Sequence, residues 1–86
     1  MVIKIIGTET SCNSTASNFN NSKLLRILNK NTSVFALLTY AYANASTIGT
    51  MTIRPNSDIL LEKNMTDIVS SNNNADVLAV SVAFKN

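Results

Sequence analysis

Apolar and polar positions alternate with a period of two over most of this chain. The alternation is cleanest from Val77 to Phe84, where Leu78, Val80, Val82 and Phe84 fall on one face of an extended segment and Val77, Ala79, Ser81 and Ala83 on the other, because successive strand side chains point to opposite sides. The same period sets Val2, Lys4 and Ile6 against Ile3 and Ile5, Leu25 and Ile27 against Leu24, Arg26 and Leu28, and Ile59 and Leu61 against Leu60 and Glu62. A helix over Ser22–Lys30 with Ser22 as N-cap is the alternative for the second of these. Its shortness and the asparagines on both sides favour the strand.

The longest apolar run, Val34 to Ala43, opens a central stretch from Ser33 to Lys63. Two shorter runs follow it, separated by Asn44-Ala45-Ser46 and Arg54-Pro55-Asn56-Ser57, which are turn chemistry because Asn tolerates positive φ and Pro presets a turn value. This predicts a three-strand meander, entered through a hairpin turn at Asn29-Lys30-Asn31-Thr32. In the first strand Phe35, Leu37, Thr39 and Ala41 oppose Val34, Ala36, Leu38, Tyr40 and Tyr42. Both faces are apolar, so the outer one should be covered, either by the N-terminal segment or by another molecule. Gly49 is placed at a bulge or a close approach, Asn64–Ile68 at a bend and Ser70–Asn74 at an exposed turn. Residues 9–21 read as a polar loop or a ragged second strand, with Phe19 pinning it to the core. Short strands with a turn about every ten residues point to an all-β fold, a small antiparallel β-sandwich, jelly-roll-like, of about seven to eight strands. Residues 1–86 then form one domain, with residues 1–21 an edge strand plus loop or an assembly arm.

Composition narrows the function more than the fold. A chain of 86 residues buries only about 60 to 65% of its unfolded surface, so oligomerisation or docking should supplement its stability. One cysteine, Cys12, and no histidine exclude an internal disulfide and argue against zinc. A net charge of +2 with 14% charged residues is too dilute for a phosphate-binding stripe, which argues against nucleic acid. The apolar run is too short to span a bilayer as a helix, so no membrane partner is expected. The N-terminus lacks a charged leader and reads as a first strand.

Candidate chemistry is sparse. General base work would fall to Glu9, Asp58, Glu62, Asp67 and Asp76, whose places at turns and strand ends are what solvation alone requires. Cys12 has no basic neighbour in sequence to activate it, and isolated Gly7 and Gly49 build no phosphate loop. Asp58, Asp67 and Asp76 match no calcium-loop spacing. Five glycosylation sequons, at Asn13, Asn20, Asn31, Asn44 and Asn64, follow from the Asn, Ser and Thr content. No catalytic residue, metal or cofactor is therefore expected, and the chain is read as a non-enzyme. Arg26, the only charge within its strand, should pair with a carboxylate such as Glu62 or Asp67.

Leu24-Leu25-Arg26-Ile27-Leu28-Asn29, Thr47-Ile48-Gly49-Thr50-Met51-Thr52-Ile53 with its proline turn, Glu62-Lys63, Thr66-Asp67 and Val80-Ser81-Val82-Ala83-Phe84 together resemble small virion proteins of marine tailed bacteriophages, over roughly residues 22 to 85. The resemblance implies a β-sandwich structural subunit of the virion, a head decoration or cement protein, with a tail, neck or fibre component as the runner-up. Its partners would be the major capsid protein or other virion proteins and further copies of itself. Val2, Ile3, Ile5, Tyr40 and Tyr42 are the candidate interface residues, tyrosine being enriched in interface cores. A small carbohydrate-binding module is the reading from a different class, with Tyr40 or Tyr42 beside Asn-rich loops.

Overall fold

The computed structural model describes residues 2–72 and 76–84. Their regular structure is eight strands and no helix: β1 (Ile3–Ile5), β2 (Thr10–Ser11), β3 (Leu24–Asn29), β4 (Ala36–Ala41), β5 (Thr47–Ile53), β6 (Ser57–Glu62), β7 (Ile68–Ser71) and β8 (Val77–Phe84). They form two antiparallel sheets. One has the order β1-β8-β3-β6, with β2 beside β1 on the same edge of β8, and the other the order β5-β4-β7.

The pairing has one simple description. Ile3 lies opposite Phe84, Thr10 opposite Ala79, Ser17 opposite Val69, Leu25 opposite Leu61 and Leu38 opposite Met51. Partner numbers descend steadily as the first residue's number climbs, as in a single long hairpin. Its tip is at Tyr42–Ser46, where the Tyr42 N–H donates to the Ser46 carbonyl at 2.9 Å and Ala45 takes a positive φ of 70°. Two further ladders, β3·β8 and β4·β7, roll this hairpin onto itself. The result is a jelly roll.

Rolling overturns the meander expected over Ser33–Lys63. β4 and β5 are a hairpin, but β6 pairs with β3 in the other sheet. Alternation assigns a residue to a face and leaves its neighbouring strand open. The decisive local feature is Asn56, whose φ of 56° bends the chain after Pro55 from one sheet to the other. The expected hairpin turn at Asn29–Thr32 is likewise a crossing between sheets. The N-terminal segment does not cover β4: Leu37 is 40% exposed on its outer face, while residues 3–17 run along the edges of β8 and β7. Ser70 and Ser71 belong to β7, not to an exposed turn, and Ser71 is buried. Asn73 and Asn74, assigned to that turn, lie outside the described residues.

Between the sheets lie Leu25, Ile27, Ala36, Leu38, Ile53, Val69, Val77 and Ala79, all buried, with Phe19, Tyr40, Ile59 and Leu61 packed against them. β8 turns its small face inward, since Val77 and Ala79 have no exposed surface. Its large residues point outward, where Val80 and Val82 are buried beside Leu24 and packed by Ile3. Asn29 is the polar member of the core. Fully buried, it donates through Nδ2 to the carbonyls of Val34 and Ile53 at 3.0 and 3.3 Å and accepts from the Asn31 N–H. One amide thereby ties β3 to the crossing loop and to the end of β5. Replacing it leaves buried carbonyls unpaired, each worth about 1–3 kcal/mol. Asn29→Ala is therefore expected to destabilise the chain by roughly 2–4 kcal/mol, read as a lowered urea midpoint. Thr32→Ala, at an exposed position, should leave the midpoint nearly unchanged.

Candidate functional site

The expected interface residues divide between the two sheets. Val2 and Ile5 are exposed, at 60% and 75%, and Ile3 is half-buried. Because β1 pairs Ile3 with Phe84 and Ile5 with Val82, Ile3, Ile5 and Phe84 share the outer face at one corner of the larger sheet. Phe84 is itself 46% exposed, whereas Ile6, 59% exposed, lies opposite Ser81 on the other face. Phe84 was not foreseen as a surface residue, although its place on the large face of β8 was readable. Tyr40 and Tyr42 belong to the smaller sheet and do not join that corner. Tyr42 is exposed, whereas Tyr40 points between the sheets.

Tyr40 is held by polar contacts. Its hydroxyl donates to the Asp67 carboxylate at 2.5 Å and accepts from the Asn64 N–H at 3.3 Å. Burial, followed by the Asp67 bond, raises its pKa. Asp67 is itself buried. Lys63, also buried, donates through Nζ to the carbonyls of Asn64, Met65 and Asp67 at 2.9, 3.2 and 2.9 Å. Burial lowers its pKa, opposed by the Asp67 charge. All three ammonium hydrogens are thus used in fastening the loop between β6 and β7. The group stands as a structural cation and has no lone pair free for chemistry.

Arg26 takes carboxylates other than the two expected. Its Nε bonds Asp58 at 2.9 Å and its Nη1 lies 3.9 Å from Glu9, while Glu62 is exposed and Asp67 serves Tyr40. Arg26 and Asp58 share the outer face of the paired strands β3 and β6, as Glu62 also does. With all three side chains partly exposed, the pairs contribute little stability.

A cleft of about 1220 Å³ opens at the end of the sandwich where β8 runs on beyond the smaller sheet, and Ala79, Ser81 and Ala83 line it. Gly7 lies against this strand, where an added Cβ would meet the Ser81 Cβ at 3.1 Å. Close approach is thus the role of Gly7, and Gly49 sits instead beside the bulge at Tyr40/Ala41. One rim of the cleft is a left-handed turn, with φ of 53°, 59° and 58° at Phe19, Asn20 and Asn21, closed by the Ser22 N–H on the Asn18 carbonyl at 3.2 Å. Glu62 is the cleft's one acid among the described lining residues. The site can bind, but it presents no carboxylate pair for acid–base work.

Cys12 is in the core, 1% exposed. Burial pushes its pKa up to about 11, against a smaller lowering by Ser71. Among the described residues no three His, Cys, Asp or Glu side chains gather as metal ligands. No family model, curated protein or solved structure matches this chain.

The thiol makes a pH prediction. From an ordinary value of 9.0 to about 11 in the fold, the unfolded chain ionises first, so stability falls as pH rises across that window. Tyr40, also raised, acts in the same direction, and Lys63, lowered, in the opposite one. Comparison with Cys12→Ala isolates the thiol. Wild type should be the more stable at pH 7 by about 1–2 kcal/mol, and the gap should shrink between pH 9 and 11, as measured by urea unfolding.

Proposed function

We propose that this chain is a non-enzymatic virion structural protein of a tailed phage, a head decoration or cement protein that stabilises the shell. The observation that carries the reading is the apolar corner of β1 and β8. Ile5 and Phe84 are 75% and 46% exposed, on the edge strand β1 and its neighbour β8, whose register puts Ile3 and Ile5 on the same face as Phe84. Clustered apolar surface of this kind is costly on a free monomer and suits a body that is covered in an assembly. A cement role requires no reaction centre, only a folded body and a contact surface. A jelly roll supplies such a body, although the fold alone assigns no function.

A position in the tail, neck or fibre uses the same surface at a lower copy number. The carbohydrate-binding reading draws on a different feature, the amides and hydroxyls of Asn20, Asn21, Asn64 and Thr66 around the cleft.

Quantitative mass spectrometry of purified particles separates these readings. A ratio near one copy per major capsid protein supports decoration, a ratio at least tenfold lower supports tail or neck, and absence from particles overturns the virion reading and leaves glycan binding. Within the decoration reading, Ile5→Asp should weaken particle binding at least tenfold without lowering the unfolding midpoint. Tyr40→Phe should do the reverse, costing about 1–2 kcal/mol of stability and leaving particle binding intact.

A further inference from the structure

The two long sides of the sandwich are not alike. On one, residues 12–17 pass from the edge of β8 to the edge of β7 and close it. On the other, β5 and β6 are both free edges, and a groove of about 190 Å³ between them reaches Leu38, Tyr40, Leu61 and Val69. Met51 and Ile48 beside this groove are 44% and 42% exposed.

Free edges usually carry a charge or a proline that discourages strand addition. β1 carries Lys4, and β6 carries Asp58 and Glu62. β5, Thr47-Ile48-Gly49-Thr50-Met51-Thr52-Ile53, carries neither over seven residues. Which of its backbone groups face outward follows from its neighbours. Leu37 exchanges bonds with Asn72 on the β7 side, accepting from its N–H at 3.1 Å and donating to its Oδ1 at 2.9 Å. Backbone groups alternate along a strand, so Ala36, Leu38 and Tyr40 bond β5 through Ile53, Met51 and Gly49. Thr50 and Thr52 therefore turn their N–H and C=O groups to the open edge.

We propose that β5 is a dimerisation edge, and that a second copy of this chain adds to it antiparallel about a two-fold axis at Thr50. In that register Thr50 exchanges bonds with its counterpart, and Thr52 pairs with Ile48 of the other copy. Gly49 meets Met51 of the other copy on the inner face. The last match is specific, because a Cβ at Gly49 would find nothing within 4 Å, and an exposed methionine from across the axis fills that space at the mouth of the groove. Ile48, the extra residue of the bulge, stands at the two ends of the ladder, where a twist does least harm. No like charges meet, since the edge has none.

The size is sufficient for a dimer and no larger. Five residues a side make a ladder roughly 17 Å long. With the side chains of both faces it buries on the order of 1,000 Å² in total, the lower bound of a specific interface. This interface is separate from the β1 and β8 corner, so it stands or falls independently of the virion reading.

Sedimentation equilibrium of the isolated chain from about 1 to 200 µM tests it. Wild type should shift from monomer to dimer over this range. Thr50→Lys, which sets two ammonium groups against each other at the axis, should remain monomeric, with a urea midpoint matching that of wild type at about 1 µM, the dilute end of the range. Thr50→Glu should behave likewise, and an equimolar mixture of the two variants should recover the dimer. A wild type that is monomeric throughout, or a dimer unaffected by Thr50→Lys, overturns the proposal. A second copy docked elsewhere, or an edge used only by a different protein, falls under those two outcomes.

Discussion

The architecture depends on one crossing, at Cys12 and Asn13. The Cys12 N–H donates to the Val77 carbonyl in the larger sheet at 2.8 Å, and the next residue's carbonyl accepts from the Ser71 N–H in the smaller sheet at 2.9 Å. The Ser71 hydroxyl also bonds the Cys12 carbonyl. Two sheets are thereby joined through the backbone of two consecutive residues. A short, weakly polar side chain suits such a place, because the thiol fills the core beneath the crossing and Ser71 meets its modest hydrogen bonding. This strap closes one side of the roll. The opposite side, between β5 and β6, has no equivalent and stays open.

The strand character of the chain was legible because alternation is a local signal. Leu25 and Ile27 were assigned to one face and proved to be the buried one, and the small and large faces of β8 were correctly separated. What alternation leaves open is which strand lies beside which, and whether a turn is a hairpin or a crossing between sheets. Asn44-Ala45-Ser46 and Arg54-Pro55-Asn56-Ser57 read alike as turns, yet the first is a hairpin and the second changes sheets. β7 was missed for a related reason. Its four residues, Ile68-Val69-Ser70-Ser71, run into asparagines, and their strand state comes from pairing on both sides, with β4 and with residues 13–17.

Asparagine had a similar double character. Its abundance reads from sequence as a compositional habit, but several of these side chains shape the loops. Asn31 accepts from the N–H groups of Ser33 and Val34, Asn44 from that of Ser46 and Asn13 from that of Thr15. These are the local side-chain bonds that make Asn a turn former. The site residues divide along the same line. The place of Ile5 on an edge strand is legible because alternation is visible in sequence, whereas the bonding of Tyr40 to Asp67 joins residues 27 positions apart, and nothing local announces it.

An open side and an apolar corner are different kinds of surface, and they suit different contacts. The corner of β1 and β8 offers side chains on an outer face, with Lys4 on the other face of the same edge strand, so a body docking there is held by apolar contact more than by strand addition. The edge of β5 offers the reverse, main-chain groups without a charge to repel an added strand. A small jelly roll of this composition buries too little of its own surface to be insensitive to either. The two surfaces lie at opposite edges of the two-sheet roll, so the contacts proposed for them do not exclude each other.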